Sequence, residues 1–259
     1  AQVNGVNGLI FLPDNWTCPA GVTFKSGFHS EHSVEAYSQY QAFSAEQWSK
    51  LEAAGAVFLP AAGNRDVSNV LRNVQYGGVY WSVTFDGQPA DTVKHTYNQA
   101  FAIYALSSYY DASGDPAALQ SALALFRLIE EKMKDELGYL EAFDRAFQPV
   151  SNEKLSENGV EAFRSMNTHL HVMEAYTELL RVLQKRTGGA DMLREIWEAL
   201  SWTCRLFSDR MWNPVAERVE VFFDRDWNSL INLWSSGYDI ESSWLADRTV
   251  EILRKTAMN

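Results

Sequence analysis

EAFRSMNTHLHVMEAYTELLRVLQK, residues 161–185, is the stretch on which the fold turns. Met166, Leu170, Val172, Met173, Leu179 and Val182 recur at a period of about 3.6 and cover most of a helical circumference. The spacing predicts a helix over Glu161–Lys185 that is buried on two sides, with a narrow polar stripe facing an interior cavity. Asn167 and His171, four residues apart, share that stripe, while His169 points elsewhere. A histidine beside an amide suits hydrogen bonding to a polyhydroxylated ligand, or proton transfer near neutral pH. The competing reading is a core histidine satisfied by its neighbours. A metal site is disfavoured, because an Asn and a His at i, i+4 without a third ligand do not make a zinc centre.

Outward from this segment the same period continues, predicting helices at about Asp91–Ala112, Pro116–Lys134, Asp191–Met211 and Gly237–Lys255. Gly114 suits a helix C-cap, Asp115 an N-cap and Pro116 the first helical position, so the first two helices form a hairpin. This half reads as mainly α, an array of αα-hairpins. Between the helices a short aromatic, strand-like element recurs: YWSVTFD (Tyr80–Asp86), YLEAFD (Tyr139–Asp144) and VEVFFD (Val219–Asp224). Their Phe-Asp endings fit a repeat of two helices plus a strand-bearing loop, and the face carrying such loops usually carries the site. Chance recurrence in an aromatic-rich chain is the alternative. On the last helix, SSGYDIESSW puts Tyr238 and Glu241 on one face, with Trp244 a turn further. Sugar C–H faces pack on aromatic rings and carboxylates accept their hydroxyls, so this is a plausible sugar-binding corner. A helix-start acid beside a core Trp is the plainer reading. His95, Trp227 and Trp234 read equally as ligand-site, solvated or core positions.

Composition changes near residue 75. Upstream, glycines punctuate short apolar runs such as Leu9–Leu12 and Val57–Leu59, and Ser44 with Gln47 has capping-box spacing for a helix over Ala45–Ala54 that Gly55 ends. Residues 1–75 therefore read as a small α+β unit in which Trp48 and Leu51 pack against strands including Val57–Leu59, with the helical unit over 76–259. With 259 residues, 46% hydrophobic and 21% charged, the chain has enough material for one large domain or two small ones. Asp and Glu number 33 against 22 Lys and Arg, a formal charge of −11 that makes nucleic acid and anionic membrane poor partners. No apolar run approaches the ~20 residues of a membrane span, so the chain reads as soluble. Cys18 and Cys204 are too few for a disulfide framework or a cysteine-based metal site. Asn15-Trp16-Thr17 fits a glycosylation sequon, a pattern that chance often supplies. Ala1 in place of Met reads as a processed product or a reading frame cut at its start.

From about Gly77 to Trp244 the strings GGVYWSV, QAFAIYALSSYY, GYLEAFDR, LSENG, SMNTHLHVMEAYTELLRV, FFDRDWNSL and SGYDIESSW resemble the cellobiose 2-epimerase group of the N-acylglucosamine 2-epimerase family. The resemblance implies a partial (α/α)6 toroid, with the terminal helices of an open arc exposing apolar flanks that invite self-association or capping by the N-terminal unit. It implies C2 epimerisation at the reducing end of β-1,4-linked disaccharides such as cellobiose, through a cis-enediol, with two histidines as acid and base and no external cofactor. Carried over residue by residue, His171, Glu241 and the position of Tyr238 belong to the catalytic set, and Tyr97 (in KHTYNQAF), Asn167 and Trp244 bind the sugar. Tyr238 replaces the family's catalytic histidine in its GHDIE element, and Gly159 stands where the family's acidic residue in the loop before MNTHLH is expected, so that acid is lost as well. The second catalytic histidine and a substrate-binding Arg belong to family helices that this sequence does not include. Residues 1 to about 82, with VNGLIFLPDNWTCPAGVTFKSG, FSAEQWSKLEAAGAVFLPAAG and YGGVYWSVT, are similar to part of the Fibrobacter succinogenes major paralogous domain of bacterial surface proteins. Together the two resemblances suggest a fusion at the shared Tyr76–Val83 string. They imply a cytoplasmic setting by one half and a cell-surface or secreted one by the other. Three functions follow: an active sugar 2-epimerase, a noncatalytic carbohydrate-binding remnant, or a fragment without independent function. The loss of a base at Tyr238 favours an inactive chain.

Overall fold

A computed structural model describes residues 2–3, 6–11, 19–22, 42–54, 57–60, 76–84, 88–152, 159–185 and 190–257. It falls into two compact units, Ala1–Val67 and Ser68–Asn259. In the first, β1 (Gln2–Val3), β2 (Val6–Phe11), β3 (Ala42–Phe43) and β4 (Val57–Pro60) make one sheet in the order β3-β1-β2-β4. β2 runs antiparallel to β1 and β4, and β3 runs parallel to β1. Helix α1 (Ala45–Ala53) opens on a closed capping box: the Gln47 amide donates to Ser44 Oγ at 3.2 Å and the Ser44 amide to Gln47 Oε1 at 3.0 Å. Leu51 is buried and Trp48 half-buried. The side chains of β4, the Asn15–Thr17 sequon and Cys18 lie outside the described residues.

The second unit is an array of αα-hairpins, a partial (α/α)6 toroid, with short strands between the helices. Its helices are α2 (Thr96–Ser113), α3 (Pro116–Lys132), α4 (Met166–Leu183), α5 (Ala190–Leu206) and α6 (Ser236–Ala257). The α2–α3 hairpin turns where the sequence says it should. Gly114 is left-handed at φ 72°, its amide donates to Tyr110 O, and Asp115 accepts from the Ala117 amide at 2.9 Å ahead of Pro116. α4 is the central helix, packed against α2, α5 and α6. Its Met166, Leu170, Met173 and Leu179 are fully buried in one core with Ile103, Phe126, Tyr139, Leu200 and Leu245.

Three predicted boundaries move, each for a tertiary reason. The helix expected from Asp91 begins at Thr96, because β6 (Pro89–Asp91) pairs with β5 (Ser82–Val83) and β7 (Lys94–His95) with β8 (Ala142–Phe143). Lys94 holds this extension in place, its buried ammonium donating to Gly77 O at 2.7 Å and Arg145 O at 2.8 Å. The helix expected from Glu161 begins at Met166, because β9 (Arg164–Ser165) pairs with β12 (Phe222–Phe223) and Ser165 serves as N-cap. The helix expected to reach Met211 is α-helical only to Leu206, continues as a π turn over Phe207–Met211, and leads into the hairpin of β10 (Trp212–Asn213) and β11 (Arg218–Val219).

The recurring aromatic element is a recurring turn. After β8, Asp144 Oδ1 accepts the amides of Ala146 and Gln148, both at 2.8 Å, and Phe147 takes φ 68°. After β12, Asp224 Oδ1 accepts those of Asp226 at 2.8 Å and Asn228 at 2.9 Å, and Trp227 takes φ 68°. The first copy is phased differently from the sequence reading. Thr84, not Asp86, takes the turn position: its Oγ1 accepts the Gln88 amide at 3.0 Å and its own amide donates to Gln88 O at 2.8 Å. A hydroxyl oxygen meets the same need as the carboxylate, so the Phe-Asp pair misplaced this copy by two residues. Asp86 itself lies outside the described residues.

Candidate functional site

The strip Tyr139–Phe143 fixes where the site residues stand, because the starts of α2 and α4 are both fastened to it. The Thr96 amide donates to Glu141 O at 3.0 Å and its hydroxyl to Leu140 O. The Glu141 carboxylate accepts the Ser165 amide and the Thr168 hydroxyl, each at 2.7 Å. Burial pushes that carboxyl up to about 7, against the opposing pull of these two hydrogen bonds. Sharing one anchor, the two helices set Tyr97, in the first turn of α2, beside His171, in the second turn of α4.

His171 is the centre of the cluster. Its ring meets Tyr97 edge-on at 5.0 Å between centroids and Phe101 at 4.6 Å, and its Nδ1 lies 2.9 Å from Glu174 Oε2. Burial, then the negative charges of Glu241 on α6 and Glu174 on α4, push the Tyr97 phenol above its usual range. Three helices therefore bring Tyr97, His171, Glu174 and Glu241 into one polar neighbourhood. Asn167 stands half-buried one turn before His171 on the same face. An aromatic wall, an imidazole and two carboxylates make a set suited to an uncharged polyol, whose C–H faces meet rings and whose hydroxyls meet acceptors.

The remaining predicted residues are placed differently. Tyr238 is half-buried and packs against both the main core and a smaller apolar cluster of Ala162, Val221 and Phe222. Trp244 is 59% exposed, and among the described residues its ring makes no aromatic contact. Trp234 is 74% exposed. Trp227 belongs to the core: its ring lies 5.1 Å from His169 and 5.0 Å from Phe223, and its Nε1 donates to Leu137 O at 3.0 Å. His95 is buried against Trp81 at 4.9 Å. His169 is the satisfied core histidine. Its Nδ1 bonds Ser165 O at 2.7 Å, its Nε2 accepts the Tyr139 amide at 3.0 Å, and burial lowers it to about 3, which keeps the ring neutral. Gly138 lies close against it, for a Cβ there would stand 2.7 Å from Trp227 and 3.0 Å from His169 Nε2.

Sequence reasoning missed Phe101, Glu174 and Glu141. The first two carry a legible signal, Phe101 at i+4 from Tyr97 and Glu174 at i+3 from His171. Glu141 carries none, since its partners arrive only when β9 docks. Among the described residues no group of three or more His, Cys, Asp or Glu is placed to hold a metal ion, and no helix is long and apolar enough to cross a membrane.

Residues 33–245 match the family model described as N-acylglucosamine 2-epimerase, a range that begins upstream of the Gly77 string quoted above. The cellobiose 2-epimerase of Eubacterium cellulosolvens is 48% identical over 185 residues, 68% of this chain and 46% of that protein. That of Ruminococcus albus is 47% identical over 187 residues, 72% of this chain and 46% of that protein. A crystal structure of a sugar epimerase from a ruminal bacterium superimposes with a TM-score of 0.68 at 42% identity, over 81% of this chain and 50% of that one. The chain thus spans about half the length of the curated relatives it matches.

Proposed function

The chain belongs to the N-acylglucosamine 2-epimerase family, and we propose that its helical unit binds the reducing-end sugar of a β-1,4-linked disaccharide such as cellobiose without epimerising it. The observation that carries this reading is the setting of His171, walled by Tyr97 and Phe101 and bonded through Nδ1 to Glu174, with Glu241 close to Tyr97. Tyr97, Asn167, His171 and Glu241 supply donors and acceptors to the sugar hydroxyls, and the exposed ring of Trp244 offers a stacking face to the second sugar. Epimerisation at C2 takes a proton from one face of an open-chain aldose and returns it to the other face of a cis-enediol, so it needs two groups that exchange protons near neutral pH. Tyr238 stands where the family resemblance places one of these. A phenol, with an ordinary pKa near ~10, accepts a proton poorly at pH 7. Binding therefore survives in this reading while turnover does not.

Titration calorimetry of the chain with cellobiose tests the binding. His171→Ala and Glu241→Gln are each expected to weaken it about tenfold or more, the scale of a lost hydrogen bond to a charged or strongly polar group. Affinity unchanged in both variants rejects the assignment.

A further inference from the structure

The sugar-facing histidine has a partner of its own that neither the sequence motifs nor the family match single out. Glu174 follows His171 by three residues on α4, its Oε2 lies 2.9 Å from His171 Nδ1, and the two side chains are only 19% and 10% exposed. A carboxylate accepts and does not donate, so the proton of this bond sits on Nδ1. In the neutral ring Nε2 is then the acceptor. Among the described residues Nε2 makes no hydrogen bond, which leaves its lone pair for a ligand.

The surroundings isolate this pair. Further along the same seam, Glu178 is taken up by Arg181 at 2.6 and 2.7 Å, by Ser108 at 3.3 Å and by Arg248 at 3.4 Å. Those cations are thereby engaged with Glu178 and, for Arg181, with Asp111 at 2.7 Å. Glu174 has His171 as its one hydrogen-bond partner among the described residues. The groups that face it from α2 are Tyr97 and Tyr104, whose phenols are both raised, by burial first and then by carboxylate charge. From α6 the nearby charges are Glu241, which acts on Tyr97, and Arg248, which acts on Tyr104.

We propose that Glu174 is a positioning residue for the sugar site, holding the His171 ring with its proton on Nδ1 so that Nε2 is presented to a sugar hydroxyl. The assignment rests on the carbohydrate-binding reading for the identity of the ligand, but the tautomer it predicts does not need a ligand. Long-range 1H–15N correlation spectra of the 15N-histidine-labelled chain read the tautomer directly, with His171→Gln identifying the signal. The expected result is an Nδ1–H ring in the unmodified chain and in Glu174→Gln, whose amide oxygen still accepts, and population of the Nε2–H form in Glu174→Ala. In parallel, cellobiose affinity is expected to fall about tenfold in Glu174→Ala and less than about threefold in Glu174→Gln. Retention of Nδ1–H in Glu174→Ala overturns the proposal, as does an equal cellobiose affinity in all three proteins. If the unmodified chain binds no cellobiose, the sugar reading is rejected, and the tautomer spectra alone decide the role of Glu174.

Discussion

Replacing Glu141 by glutamine is expected to change how the chain's stability depends on pH, and the size of the effect follows from two buried groups that titrate in opposite senses. Burial lowers His169 from 6.5 to about 3, so the unfolded chain takes up its proton first as pH falls. Its contribution is fully present above pH 6.5 and is lost on acidification at about 1.4 kcal/mol per pH step, roughly 5 kcal/mol in all. Burial raises Glu141 from 4.5 to about 7, so here the folded chain holds the proton more tightly. Its ionised form is a burden above pH 7 that is relieved as pH falls to 4.5, by roughly 3 kcal/mol. Between about pH 6.5 and 4.5 the two slopes oppose each other, giving the unmodified chain a plateau. Below it stability falls steeply. Asp135 and Glu178 add to that fall: burial would raise both, but Arg164 with the Leu137 and Gly138 amides, and Arg181 with Arg248 and Ser108, together hold them low. Glu141→Gln removes one of the opposing slopes while keeping an acceptor for the Ser165 amide. Urea unfolding at half-unit intervals from pH 7.5 to 4 is expected to show the variant losing stability from pH 6.5 downward at about 1.4 kcal/mol per step. The same plateau in both proteins would refute the reasoning.

Gly138→Ala is expected to cost about 1–3 kcal/mol by overpacking, because its Cβ meets Trp227 at 2.7 Å and His169 Nε2 at 3.0 Å; urea midpoints measure it. Asp115→Ala removes the acceptor for the Ala117 amide at the start of α3 and is expected to cost about 1 kcal/mol, read as a lower thermal midpoint. Gly114→Ala places a Cβ on a left-handed cap at φ 72° with open space around it, so backbone strain alone is expected to cost about 1 kcal/mol.

What was legible in the sequence depended on how local its cause was. The apolar pattern of α4 and the Gly114-Asp115-Pro116 junction act within a few turns, so the existence of α4 and the caps of the α2–α3 turn were readable. The starts of α2 and α4 were not, because Lys94–His95 and Arg164–Ser165 are extended by strands that come from distant parts of the chain. The Phe-Asp repeat was visible, but its first phase was hidden by a Thr that does the work of an Asp. In the candidate site the Asn167–His171 stripe followed from helical spacing. Glu174 carried the same kind of signal, yet an acid three residues on from a histidine reads as a solvated charge until α2 closes over it. Glu141 had no local mark at all, since both helices it anchors are assembled around it only in the folded chain.

C2 deuteration of cellobiose in D2O, followed by NMR with the purified chain, tests the central claim of binding without turnover most directly, because exchange reports the first proton transfer even when no epimer accumulates. The account predicts exchange at the buffer rate for the unmodified chain and a rise above it in Tyr238→His, since general acid–base catalysis contributes on the order of 10²–10⁴-fold. Deuteration by the unmodified chain well above buffer, abolished by His171→Ala, would contradict it and make His171 the working base.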